Sequence, residues 1–172
     1  VECRKISLED SGDIYLTGPF TNTVHFDSFT ITATSSTHGD IYLAKLNSSG
    51  LTQWVKAGVK VTSRTDNNLG QSFTIDPEGN VYLIGHLKGD VRFDQIVLNG
   101  NTEQGYSITD AFIVKYSKDG ELLLAVLFGK SFNAFLTDIE YSSAGTFLLG
   151  MATTSFQFFY INLNTEQLTG EP

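Results

Sequence analysis

Two acid–base pairs recur in this chain. Asp40 and Lys45 bracket the run Asp40-Ile41-Tyr42-Leu43-Ala44-Lys45, and Asp110 and Lys115 bracket Asp110-Ala111-Phe112-Ile113-Val114-Lys115. A carboxylate and an amine held together can pass a proton during catalysis. Recurrence at equivalent positions argues for another use, because an enzyme needs one active site rather than one per repeat. The expected roles are therefore structural: each Asp bonds backbone amides at a turn, and each Lys covers apolar surface with its stem.

Other residue types invite the same weighing. Carboxylates crowd the turns at Asp10, Asp13, Asp76, Glu78, Asp119 and Glu121. Asp76 and Glu78, in Asp76-Pro77-Glu78-Gly79-Asn80, are the nearest approach to a calcium loop, but the alternating acidic ladder and its distal Glu are missing. Hairpin-turn chemistry explains these carboxylates better, so no metal and no cofactor are expected. The histidines, His25, His38 and His86, show no metal-ligand spacing. There is no nucleophile elbow and no phosphate-binding glycine loop. Trp54, Tyr106 and Phe132 are weak ligand candidates, since exposed aromatics can stack on sugar rings. Trp54 aligns with Leu124, however, which favours packing. Asn47-Ser48-Ser49 is a formal glycosylation sequon on a turn. Cys3 is the single cysteine, so an intramolecular disulfide and a multi-cysteine zinc site are both excluded.

The elements that position these residues repeat along the chain. Asp13-Ile14-Tyr15-Leu16-Thr17-Gly18 returns 67 residues later as Asn80-Val81-Tyr82-Leu83-Ile84-Gly85, and Val24-His25-Phe26-Asp27 returns as Val91-Arg92-Phe93-Asp94. The Asp40 run returns after 70 residues as the Asp110 run, and Thr146-Phe147-Leu148-Leu149-Gly150 is a weaker third copy. Gly18, Gly85 and Gly150 stand at matched strand ends, where close backbone approach or a bulge is the usual reason for glycine. Within the second copy, Gln71–Ile75 alternates polar and apolar residues, and Asn80–Gly85, Asp110–Tyr116 and Leu122–Phe128 read as three further strands. Asp76-Pro77-Glu78-Gly79 and Ser117-Lys118-Asp119-Gly120 are turns. Val91–Phe93 and Ile96–Leu98 read as a short excursion. Four antiparallel strands joined by tight turns make one propeller blade. The expected fold is all-β, with about three β-propeller-type blades in a single repeat region over 1–172: about 1–61, 70–130 and a degenerate 135–172. A β-sandwich is the alternative. The stretches Thr62–Gly70 and Gly100–Thr109 read as exposed loops.

The 172 residues are 41% hydrophobic and 12% aromatic, enough for a core. The net charge of −8 argues against a nucleic-acid backbone as the main partner. No apolar run approaches the roughly 18 residues of a membrane span. The opening Val1-Glu2-Cys3-Arg4-Lys5 is not a signal peptide and suits a chain that starts inside a longer gene product.

The strings Asp76-Pro77-Glu78-Gly79-Asn80-Val81-Tyr82-Leu83-Ile84-Gly85 and Asp110-Ala111-Phe112-Ile113-Val114-Lys115-Tyr116, with Phe93, Gly120, Gly50 and Trp54, resemble the bacterial seven-bladed β-propeller (SBBP-type) repeat. The resemblance covers nearly all of residues 5–129. The third copy departs from it, with Gln157 and Asn162 in place of the Asp and Lys. Such repeats imply a large secreted or surface-attached bacterial protein, often non-catalytic. Closed propellers have 4–8 blades, so an arc of three should leave apolar faces in need of a partner. Further blades, a second copy or another subunit would complete it. The leading expectation is a structural, adhesive or protein-interaction module at an extracellular or cell-surface location. A glycan-binding propeller and a metal-dependent propeller hydrolase are the alternatives.

Overall fold

Strands form where apolar residues alternate, and they end where turn residues gather. A computed structural model describes residues 1–61, 68–103, 106–128, 133–142, 145–152, 159–162 and 167–170. The first repeat comprises β1 (Lys5–Leu8), β2 (Ile14–Phe20), β3 (Thr23–Phe26), β4 (Phe29–Thr32), β5 (Asp40–Leu46) and β6 (Thr52–Lys60). The second comprises β7 (Leu69–Ile75), β8 (Val81–Lys88), β9 (Val91–Phe93), β10 (Ile96–Leu98), β11 (Thr102–Glu103), β12 (Tyr106–Ser107), β13 (Thr109–Tyr116) and β14 (Leu122–Phe128). The third supplies β15 (Ala134–Ser142), β16 (Gly145–Ala152), β17 (Phe159–Asn162) and β18 (Gln167–Gly170). The protein is all-β. Its sheets are antiparallel, and among the described residues none closes on itself and no helix is long and apolar enough to cross a membrane.

Equivalent turns have equivalent bonds. Glu9 N–H donates to Asp13 C=O and Asp76 N–H to Asn80 C=O, both at 2.9 Å. Gly12 and Gly79 then return their N–H groups to Glu9 and Asp76 at 2.8 Å, each with φ near +85°, a value that glycine adopts without steric cost. Strand register is shared too. Leu16 lies opposite Ala44, which faces Val55; Leu83 lies opposite Val114, which faces Ala125. Even the irregularity recurs, since the pairing slips after Lys45 in one copy and after Lys115 in the other.

Two expectations need correction. The excursion Val91–Leu98 does not stay with its own repeat. β9 pairs with β6, so the first sheet has the order β1-β2-β5-β6-β9-β10, and only the second, β14-β13-β8-β7, has four strands. An open strand edge offers unpaired N–H and C=O groups, and β9 covers that edge of β6 over Gly58–Lys60. Of the polar stretches 62–70 and 100–109, residues 62–67 and 104–105 lie outside the described residues, and the rest are not simply exposed. Asn68 and Thr109 are buried, and Thr102–Glu103 pairs with Tyr106–Ser107 as a short hairpin. Buried backbone groups need partners, and Asn68 Oδ1 accepts the Lys88 N–H at 3.0 Å while Asn133 Oδ1 accepts the Thr109 N–H at 2.8 Å.

Alternation gives each sheet two apolar faces. One face of the first sheet, with Tyr15, Ile41, Leu43 and Trp54, packs on Leu83, Phe112, Val114 and Tyr116 of the second. The opposite face of the second, with Tyr82, Ile84, Ala111 and Ile113, packs on Ala134, Leu136 and Ile139 of β15. A third cluster lies on the other face of the first sheet, around Phe20, Tyr42 and Ala44, under the β3–β4 hairpin.

Candidate functional site

Each recurrent acid closes a loop against its own strand. Asp40 is fully buried and accepts the Thr34 N–H at 2.8 Å, the Thr34 hydroxyl at 3.0 Å and the Lys60 N–H at 3.3 Å. Asp110, equally buried, accepts the Asn101 N–H at 2.7 Å and the Asn101 side-chain amide. Burial raises the Asp110 pKa and the Asn101 bonds oppose the shift. The lysines pair elsewhere. Lys45 reaches Asp13 at 3.1 Å and lies 5.3 Å from the Tyr15 ring; Lys115 lies 3.7 Å from Asp76 and 4.7 Å from the Tyr82 ring. Residues five apart on a strand point to opposite faces, so each Asp and Lys engages different partners. The lysine heads thus do more than their stems were expected to do: they join a turn carboxylate to an aromatic face.

The Asp76 carboxylate accepts the Asn80 N–H at 2.7 Å, the Asn80 amide at 2.8 Å and the Tyr82 hydroxyl at 3.2 Å. It is spent on its own turn, and Glu78 beside it is exposed. Trp54 is buried between Tyr15 and Tyr116, at 6.0 and 6.4 Å, and its indole N–H donates to Lys118 C=O at 3.1 Å. The side chain is thus held in the core. The Tyr106 and Phe132 side chains lie outside the described residues. At Gly18 a Cβ would strike Glu2 C=O, and at Gly85 Leu69 C=O, so both mark close backbone approach. Gly150 lies in β16 opposite Leu136. His25 bonds Thr30 across the hairpin at 3.0 Å, and His38 bonds the neighbouring Thr37 at 2.8 Å. His86 stacks edge-on against Phe135 at 5.0 Å, and burial with the nearby Arg4 charge lowers its pKa. A cavity of about 290 Å³ opens beside Arg4, Phe20 and Gly39. Among the described residues no group of three His, Cys, Asp or Glu is placed to hold a metal.

What the structure brings together is a surface. Leu16, Tyr42, Leu46, Val55 and Ala57 lie side by side on one face of the first sheet, with Val24, Phe26 and Ile31 of the β3–β4 hairpin beside them. Their counterparts in the second repeat, Leu83, Phe112, Tyr116, Ala125 and Leu127, face the first sheet, and the first three are at most 1% exposed. In the first repeat only Tyr42 of the corresponding residues is fully buried, with Phe20 and Ala44; Leu16, Leu46, Val55 and Ala57 are half-buried. The face that carries Phe20 and Phe26 has the β3–β4 hairpin, and no larger sheet, over it among the described residues. Sequence reasoning missed Thr34, Asn68, Asn101 and Gly58. For Gly58 the signal was available: Phe128 occupies its place in the second repeat. No protein-family model matches the chain, and no curated protein matches it.

Proposed function

We propose that the chain is a non-catalytic structural or adhesive module, built to bind protein, of a bacterial secreted or surface protein. The finer fold reading is a propeller-type arc of about three blades. One observation carries both. The first sheet meets the second through its Tyr15–Trp54 face, the second meets β15 through the equivalent Tyr82–Ile113 face, and the sense of stacking is the same both times. Head-to-tail stacking does not close after two layers, whereas a sandwich buries two inner faces and stops. An arc of this kind ends on an apolar face that fits another module, and the half-buried Leu16–Ala57 face of the first sheet is such an end. The recurrent Asp and Lys residues support the same reading, because their charges are engaged in turns and loop closures.

Light scattering across a concentration series, with a hydrophobic dye as reporter, tests this. The chain should bind dye and associate as concentration rises, and Ala57→Glu on the open face should suppress both while circular dichroism stays unchanged. A monomer at every concentration, indifferent to Ala57→Glu, would overturn the proposal.

A further inference from the structure

Both repeats carry the same hairpin, yet among the described residues only one hairpin is paired with a further strand. β9 lies antiparallel to β6, with Gly58 opposite Phe93, Val59 opposite Arg92 and Lys60 opposite Val91. Phe93 fits because position 58 lacks a side chain; a Cβ there would overlap the ring. Lys56, two residues before the glycine, reaches Asp94 at 3.1 Å. The β3–β4 hairpin reproduces its half of this contact. Phe26 packs on Tyr42 at 5.3 Å and 42°, and Phe93 packs on Phe112 at 5.3 Å and 44°. Asp27 and Asp94 share a left-handed turn position, with φ of 49° and 46°. Among the described residues β3 pairs with β4 alone, and Phe26 is half-buried where Phe93 is 1% exposed.

We propose that the outer edge of β3, with Phe26 and Asp27, is a docking site for an antiparallel strand of the pattern Lys-X-Gly, carried by a further module of this repeat. Addition of a strand to a sheet edge gives affinity through backbone bonds and specificity through alternate side chains. The glycine lies opposite Phe26, the next residue opposite His25 and the one after opposite Val24. The lysine approaches Asp27, whose Oδ2 accepts the Thr52 N–H at 2.6 Å. The chain's own β14 does not suit the site. Val126 and Phe128 stand where β6 has Lys56 and Gly58, paired with Ile113 and Ala111 as those pair with Leu43 and Ile41. The partner strand therefore resembles β6, and it belongs to a different module. This deepens the protein-binding reading and rests on it.

A tethered probe tests the idea on the full chain. A second copy of the Thr52–Lys60 sequence is joined ahead of Val1 through a flexible linker of about 20 Gly and Ser residues, which spans roughly 25 Å and holds the probe at millimolar effective concentration. Hydrogen exchange is then read at the β3 amides. Those amides should exchange at least tenfold more slowly than in the untethered chain. The protection should vanish when the appended copy alone carries Gly58→Phe, and equally when Phe26→Ala is made in the hairpin. Unchanged β3 exchange, or protection that survives Gly58→Phe, overturns the proposal. Because dye binding and association report the open face as a whole, the strand specificity can fail while the interaction reading stands, and the reverse.

Discussion

The two equivalent faces of the first and second sheets are made from nearly the same residues and end in different states. Leu83, Phe112 and Tyr116 are sealed by the first sheet, while Leu16 and Leu46, at two of the matching places, are half-buried. Burial here is a property of the neighbour, since alternation produces the same apolar stripe in both copies. The difference teaches that the repeat encodes half of an interface twice over. Only one of those halves finds its complement within the described chain.

The largest effect should come from the aromatic anchors of the two hairpins. Phe93→Ala should cost about 3–5 kcal/mol in urea unfolding, the usual loss for a buried aromatic, and Phe26→Ala well under half as much. Equal losses would break the comparison. Next comes the notch that receives Phe93. Gly58→Val should cost about 1–3 kcal/mol by forcing the ring aside, whereas Ala57→Val on the open face should stay within about 0.5 kcal/mol. Loop closure should not distinguish the repeats: Asp40→Ala and Asp110→Ala should each lose about 1–3 kcal/mol, because each removes a buried carboxylate that holds its own loop. An asymmetry there would show that the loops, too, depend on the neighbour.

A smaller difference is expected in acid. The His86 pKa is depressed below the ordinary 6.5 by burial and by Arg4, so its contribution to stability is present above pH 6.5. It is lost as pH falls through 6.5 towards the folded-state value. His86→Gln should flatten that part of a stability–pH curve measured by thermal melts; a slope left intact would assign it to other groups. The first repeat has Pro19 at this place and so no equivalent titration. The smallest effect is the Lys56–Asp94 ion pair, half exposed, for which a double-mutant cycle should give no more than about 1 kcal/mol. A larger coupling would mean that charge, rather than the glycine notch, selects the partner of β6.

Much of the fold was legible in the residues. An alternating run marked β7, continuous apolar runs marked β2, β5, β8, β13 and β14, and Asp-Pro-Glu-Gly and Asn-Ser-Ser-Gly marked turns, because these signals act within a few neighbours. Recurrence of Gly18 as Gly85 also pointed to backbone contact, which Glu2 and Leu69 make. The partners of Asp40 and Asp110 were not legible. Thr34 and Asn101 lie in loops of different length and sequence, so no common offset joins acid to donor. The candidate surface was illegible for a related reason: Leu16 and Leu83 are the same residue in the same pattern.

Local chemistry thus settled which segments become strands, where they turn and which residues share a face. Tertiary structure decided which faces are covered, that β9 leaves its own repeat for the edge of β6, and that Gly58 makes room for Phe93. Period and turn type depend on residues a few positions apart. Edge pairing and burial depend on groups brought together from tens of residues away, and for those the closing of the chain, rather than any run within it, sets the outcome.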